Sequence, residues 1–173
     1  LHCHLLGAVR HDTFVALAER SGAPIERAEI DAFYARGDKP VGVLHVLRAL
    51  DKYLLTQPDD LRRIAYEYLE DAAAHNVRHA EFFWNPTGTV RVSGIAYADA
   101  QAAIVTAIRD AARDFGIGAR LIPSIDREQD PDEAVAIVEW MKANRADEVA
   151  GLGIDYREND RPPELFWKAY RNA

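Results

Sequence analysis

Leu1-His2-Cys3-His4-Leu5-Leu6-Gly7-Ala8 (residues 1–8) reads as the tail of a β-strand running into a loop. His2 to Leu5 supply the strand, and a side-chain period of two sends His2 and His4 to one face and Cys3 to the other. In an open, doubly wound α/β sheet the first strand is followed by a glycine-rich G-x-G-x-x-G turn that holds phosphate. Gly7 stands alone here, so the open sheet is disfavoured at this loop. The alternative is the first strand of a (β/α)8 barrel, whose strands end at the active-site mouth.

The rest of the chain carries the same alternation of strand and helix. Short apolar stretches at Val77 to Trp84, Gly118 to Ile125 and Val149 to Asp155 read as strands. Helical spacing recurs at Phe14, Leu17 and Ala18, ending at Gly22 and Pro24, and again over Glu26 to Ala35, closed by Gly37. Val43, Val46, Leu47, Leu50 and Leu54 read as one further helix. Pro58-Asp59-Asp60 opens a longer one, with proline at a position that needs no N–H and acids matched to the helix dipole. Two more run through Ala100 to Ala111 and Ala134 to Met141, and the last starts near Pro163. Strands separated by amphipathic helices imply right-handed βαβ units and a parallel sheet. With 173 residues against about 250 for a whole barrel, the expectation is an α/β, TIM-like (β/α)8 barrel of which this chain supplies roughly the first four units plus inserted helices. Residues 1–173 are expected to form a single domain, without internal repeat or linker.

Composition narrows the function. The chain is 49% hydrophobic and 28% charged, as soluble globular proteins are. A net charge of −7 argues against nucleic acid as a partner, because phosphate binding needs a basic surface. No apolar run has the length of a membrane span and no signal-peptide pattern is present. The single cysteine, Cys3, cannot pair internally, which points to a reducing, cytoplasmic setting. The missing initiator Met leads to the expectation that residues before Leu1 were processed away or lie outside this sequence.

His2-Cys3-His4 is the chemistry-bearing motif. Two imidazoles on one face of a strand can converge on one ion, and Zn²⁺ readily accepts imidazole nitrogen. On spacing alone, chance or packing competes with metal binding. A place at the mouth end of a first barrel strand favours the metal.

Three segments resemble the adenosine/adenine deaminase family of metal-dependent amidohydrolases. Leu1 to Ala8 is similar to its first-strand signature, ELHxHLxG followed by a small residue. Arg63-Ile64-Ala65-Tyr66-Glu67-Tyr68 with Asn76 to Pro86 resembles its helix and second strand. Gly153-Ile154-Asp155, Glu158 and Pro162-Pro163-Glu164-Leu165-Phe166 resemble the G-L-D-x-x-E…P-P…F pattern of the adenine-deaminase branch. The resemblance implies a TIM-like barrel that replaces the C6 amino group of a purine by water and releases ammonia, with Zn²⁺ as cofactor and a small-molecule aminopurine (adenosine, adenine or a modified relative) as substrate. It makes His2 and His4 two of the metal ligands. The third histidine, the aspartate ligand and the proton-transfer glutamate of a His-Ala-Gly-Glu motif are expected beyond residue 173, so no catalytic acid is assigned within the chain and the piece alone is expected to be inactive. His11, His45, His75 and His79 match no family ligand and read as surface or structural groups.

The same comparison marks the substrate-binding candidates His4, Leu6, Gly7, Val43, Leu44, Leu47, Asp155 and Glu158. Leu6 stands where the family has an acid that contacts ribose, which favours a modified or non-ribosylated purine. Val43, Leu44 and Leu47 match the helix over the substrate, though their spacing equally suits plain core. Glu158 matches a glutamate of the adenine branch that could accept from a ring N–H, and otherwise reads as an exposed loop carboxylate. Asp155 faces the mouth as a contact or a loop-orienting group. Phe82 and Trp84 should point to one side of their strand and Phe83 to the other, while Glu81 needs a partner if it is enclosed. Two alternatives stay open, another metal-dependent hydrolase of the amidohydrolase type and a family member without activity. Homo-oligomerisation is compatible with the sequence.

Overall fold

A computed structural model describes residues 3–35 and 42–173. Three strands, β1 (His79–Trp84), β2 (Gly118–Asp126) and β3 (Gly153–Asp155), form a parallel sheet in the order β1-β2-β3. A parallel bridge from His4 to Phe83, with the Phe83 N–H donating to the Cys3 carbonyl at 2.8 Å, sets the expected first strand beside β1. Spatial order therefore follows chain order without reversal, as a barrel requires and a doubly wound sheet does not.

The helices bear out the spacing. α1 is His11–Ser21, α2 Arg27–Tyr34, α3 Val43–Ala49, α4 Pro58–Ala74, α5 Pro86–Arg91, α6 Tyr97–Phe115, α7 Pro131–Ala143 and α8 Trp167–Asn172. The stop expected at Gly37 lies outside the described residues. α4 opens with a capping box between Gln57 and Asp60 and with Pro58 in its first turn. Arg20 pairs with Asp60 at 2.6 Å. Burial alone would raise the Asp60 pKa, but that guanidinium and the N–H groups of Thr56 and Gln57 hold it below the ordinary carboxylate value.

The core lies between the sheet and the helices. Ala80, Phe82 and Trp84 of β1 bury themselves against Leu61, Ile64, Ala65 and Leu69 of α4 and Ala100, Ile104 and Ala107 of α6. Each such large apolar side chain contributes about 1.5–3 kcal/mol. Alternation leaves His79, Glu81 and Phe83 on the opposite, inner face, where Glu81 is exposed and sits 3.5 Å from His79. Gly153 makes room on that face, since a Cβ there would come within 2.8 Å of the Phe83 ring.

Four differences from the pattern reading have local causes. The strand expected from Val77 begins at His79, because the Val77 N–H closes the end of α4 on the Ala72 carbonyl. The strand expected over Val149 to Asp155 is interrupted, with a bridge from Val149 to Leu121 and then β3. The helix expected through Leu54 changes at Leu50–Leu54 into a π-helical turn, which carries Asp51 inward beside Leu50 and Leu54. Finally, α5 is additional to the expected helices: Asn85 ends β1 but also caps α5, accepting from the Thr87 N–H at 2.9 Å. The last helix starts as a 3-10 turn at Pro163–Phe166 before α8.

Candidate active site

The inner face of the sheet gathers polar side chains at the carboxyl ends of the strands. His4 shares that face with Phe83, their ring centroids 5.7 Å apart. Asn85 lies two residues beyond Phe83 and continues its parity. Asp126 and Asp155 are register partners in β2 and β3 and so point the same way. These positions converge: His4 Nδ1 is 3.5 Å from Asp155 Oδ2, and Asn85 Nδ2 donates to Asp155 Oδ1 at 2.8 Å. The Asp155 side chain is 3% exposed and that of His4 is 27% exposed, so the imidazole opens to the mouth while the carboxylate behind it is enclosed.

A narrow cleft of about 10 Å³, room for a single water, lies over this group and is lined by Leu6, Leu47, Asn85, Asp155 and Tyr156 among others. His4, Leu6, Leu47 and Asp155, all singled out in the sequence, thus come together. Leu44 is half-buried against the core and Gly7 is exposed in the 3-10 turn Leu5–Ala8; neither lines the cleft. Glu158 is turned away, 78% exposed and 3.4 Å from Arg127. His2 and the side chain of Val43 lie outside the described residues. His11 pairs with Asp12 and Asp31, His45 with Glu29, and His75 Nδ1 with the Asp71 carbonyl, all on the surface as expected.

A second cleft of about 400 Å³ shares Tyr156 with the first and is lined by Arg48, Asp51, Gly88, Arg91 and Asp126 among others. Asp51 was not anticipated, because a lone acid between Leu50 and Lys52 gives no signal until the π turn carries it inward. It is 4% exposed and lies 3.4 Å from the Thr89 hydroxyl, which accepts from Trp84 Nε1 at 3.0 Å. Gly88 is required beneath it, since a Cβ at that position would stand 2.1 Å from Asp51 Oδ2. Burial first, then the charges of Asp126 and Asp155, push the Asp51 pKa up to about 7 against the opposing Thr89 hydrogen bond. Burial likewise raises that of Asp126.

Between the ordinary carboxylate value and about 7 the folded protein holds a proton on Asp51 that the unfolded chain has released, so stability declines as pH rises through that window. Asp51→Asn, which keeps the shape without the charge, is expected to flatten that decline. Melting temperatures of both proteins from about pH 4 to about pH 8 check it, and parallel curves would refute the assignment.

Among the described residues no group of three or more His, Cys, Asp or Glu side chains is arranged to hold a metal ion. What the described chain offers is one imidazole at the mouth, backed by a buried carboxylate. Outer helices, sequential parallel strands and a polar mouth at their carboxyl ends define a segment of a (β/α) barrel.

Known proteins agree. The adenosine deaminase family matches residues 1–173, and the chain belongs to that family. The adenine deaminase of Rhodospirillum rubrum is 33% identical over 179 residues, covering 100% of this chain and 52% of that protein. The adenine deaminase of Schizosaccharomyces pombe is 34% identical, covering 99% and 49%. An amidohydrolase of Burkholderia ambifaria, crystallised with bound Zn, is 94% identical with a TM-score of 0.97, covering 99% of this chain and 47% of that one. The adenine deaminase of Arthrobacter aurescens, 29% identical, superposes with a TM-score of 0.86 over 99% of this chain and 52% of its own. The chain spans about half the length of the curated relatives it matches.

Proposed function

We propose that the full-length protein carries out Zn²⁺-dependent hydrolytic deamination of an aminopurine, with His2 and His4 as two of the metal ligands. The observation that carries this reading is the His4 imidazole at the mouth of a barrel of the adenosine deaminase family, held against the buried Asp155. A carboxylate facing an imidazole nitrogen orients the ring for a role as ligand. Zn²⁺ held by His4 and His2 would supply a nucleophile at neutral pH by bringing the pKa of a bound water down to about 7. The donor chemistry fits the ion, and the Zn-bound amidohydrolase at 94% identity supports it.

The chain's own residues then do the binding. Asn85 fixes Asp155, and Asp155 fixes His4. Leu6 and Leu47 form an apolar wall that keeps water from the purine face and offers no acceptor to a ribose hydroxyl. That wall, with the adenine deaminases among the relatives, favours adenine or another non-ribosylated aminopurine over adenosine. Residues 1–173 act as a single domain within the barrel, the partner is a small molecule rather than nucleic acid, and the single thiol Cys3 suits the cytoplasm. No helix among the described residues is long and apolar enough to cross a membrane.

The test is ammonia release by the full-length protein from adenine, adenosine and N6-substituted adenines, with metal content measured on the same sample. Deamination of adenine with about one Zn²⁺ per chain is expected. Zinc without ammonia release would favour another amidohydrolase reaction, and absence of zinc would refute the proposal.

A further inference from the structure

β2 and β3 end side by side on the register pair Asp126 and Asp155, and the loops that follow are joined by two arginines. The Arg127 guanidinium, 11% exposed, donates through Nη1 to the Arg161 carbonyl at 3.0 Å and through Nη2 to Glu158 Oε1 at 3.4 Å. Arg161 reaches back in the other direction, its Nε donating to the Arg127 carbonyl at 2.6 Å and its Nη2 to the Gln129 carbonyl. The Arg161 guanidinium also lies over the ring of the buried Phe166, 5.6 Å from its centroid, which ties the loop to the core. Within the loop Tyr156 and Asp160 have φ of 66° and 58°, in the left-handed region that disfavours residues with a side chain. Backbone of that kind persists only where its surroundings over-determine it. Residues 156–161 are therefore held by the two arginines rather than by their own preference.

We propose that this clasp positions the metal site, with Arg127 as a positioning residue that acts through Asp155 on His4. The inference rests on the reading of His4 as a Zn²⁺ ligand. Asp155 lies between the two: its carbonyl accepts from the Arg127 N–H at 3.2 Å, and its carboxylate is 3.5 Å from His4 Nδ1. β3 is three residues long and ends at Asp155, so its few sheet bonds need the support of the loop that follows. Freed from the clasp, Tyr156 relaxes toward negative φ and the peptide joining it to Asp155 turns with it. The Asp155 carbonyl then leaves the Arg127 N–H, and the carboxylate behind His4 loses its fixed direction. Arginine suits the task because its planar fork bonds two acceptors at once, which a lysine ammonium on a flexible stem does not reproduce. Arg127 Nε is enclosed and has no hydrogen-bond partner among the described residues, so the two Nη groups alone hold the loop.

Zn²⁺ affinity of the full-length protein, read by chelator competition in a double-mutant cycle, tests the clasp. Arg127→Met keeps the bulk and removes the fork, and is expected to weaken Zn²⁺ binding about tenfold, as the loss of an outer residue of a metal site does. In an Asp155→Asn background the same substitution should add less than about twofold, because a residue that acts through Asp155 has nothing left to position. Arg127→Lys, which keeps the charge without the fork, should bind zinc as weakly as Arg127→Met. A merely structural arginine would lower the unfolding midpoint with affinity intact, or lower affinity equally in both backgrounds. Either result, or full rescue by lysine, would overturn the proposal. Should Arg127→Met not fold, Arg161→Met, at the more exposed half of the clasp, carries the same cycle. A wild-type protein that takes up no zinc sinks the metal reading and the clasp's role with it, whereas zinc held as tightly by the variants as by the wild type sinks the clasp alone.

Discussion

His4→Ala is expected to lower kcat/KM of the full-length protein for its aminopurine on the order of 10³-fold. A catalytic metal contributes several kcal/mol of transition-state stabilisation, and each ~1.4 kcal/mol is worth a factor of ten. The imidazole sits at the edge of the cleft, 27% exposed, so its loss should leave the fold standing. Metal content should fall with activity, and circular dichroism should not change. Asp155→Asn is the graded counterpart. It removes the charge behind the ring but keeps an oxygen, and should weaken metal affinity about 10–100-fold. Full metal occupancy with full activity in His4→Ala would remove this residue from the site.

Trp84→Ala should be the most damaging core substitution, costing about 3–5 kcal/mol. The indole is 1% exposed and stacks against Tyr97, with ring centroids 5.4 Å apart. Its N–H donates to Thr89, which in turn faces Asp51, so truncation opens a void and also disturbs the support of the second cleft. The midpoint of denaturant unfolding reads the loss directly. Phe83→Ala, one residue away on the half-exposed inner face, should cost clearly less. Equal losses at the two positions would contradict the assignment of faces.

Much of this was legible in the residues. Alternation along a strand is a property of the extended backbone itself, so the split of Phe82 and Trp84 from Phe83 was readable without any partner. The apolar faces of α4 and α6 followed from their spacing, and the barrel reading followed from the lone Gly7 and the alternation of strands with helices. The family resemblance singled out His4, Leu6, Leu47 and Asp155, and the structure brings these four around one cleft.

Tertiary structure alone decided the rest. Asn85 reads as a strand terminator until the sheet register brings it 2.8 Å from Asp155, 70 residues further along. Asp51 stands out only once a π turn carries it inward and Gly88 gives it space. Glu158 sits in a motif that suggests a ligand contact, yet it faces Arg127 on a loop whose path depends on β2. Local periodicity is set by bonds between neighbours and is therefore written in the sequence. Which carboxylate meets which imidazole depends on strand register and helix phase, and a shift of one residue in either would change every pair.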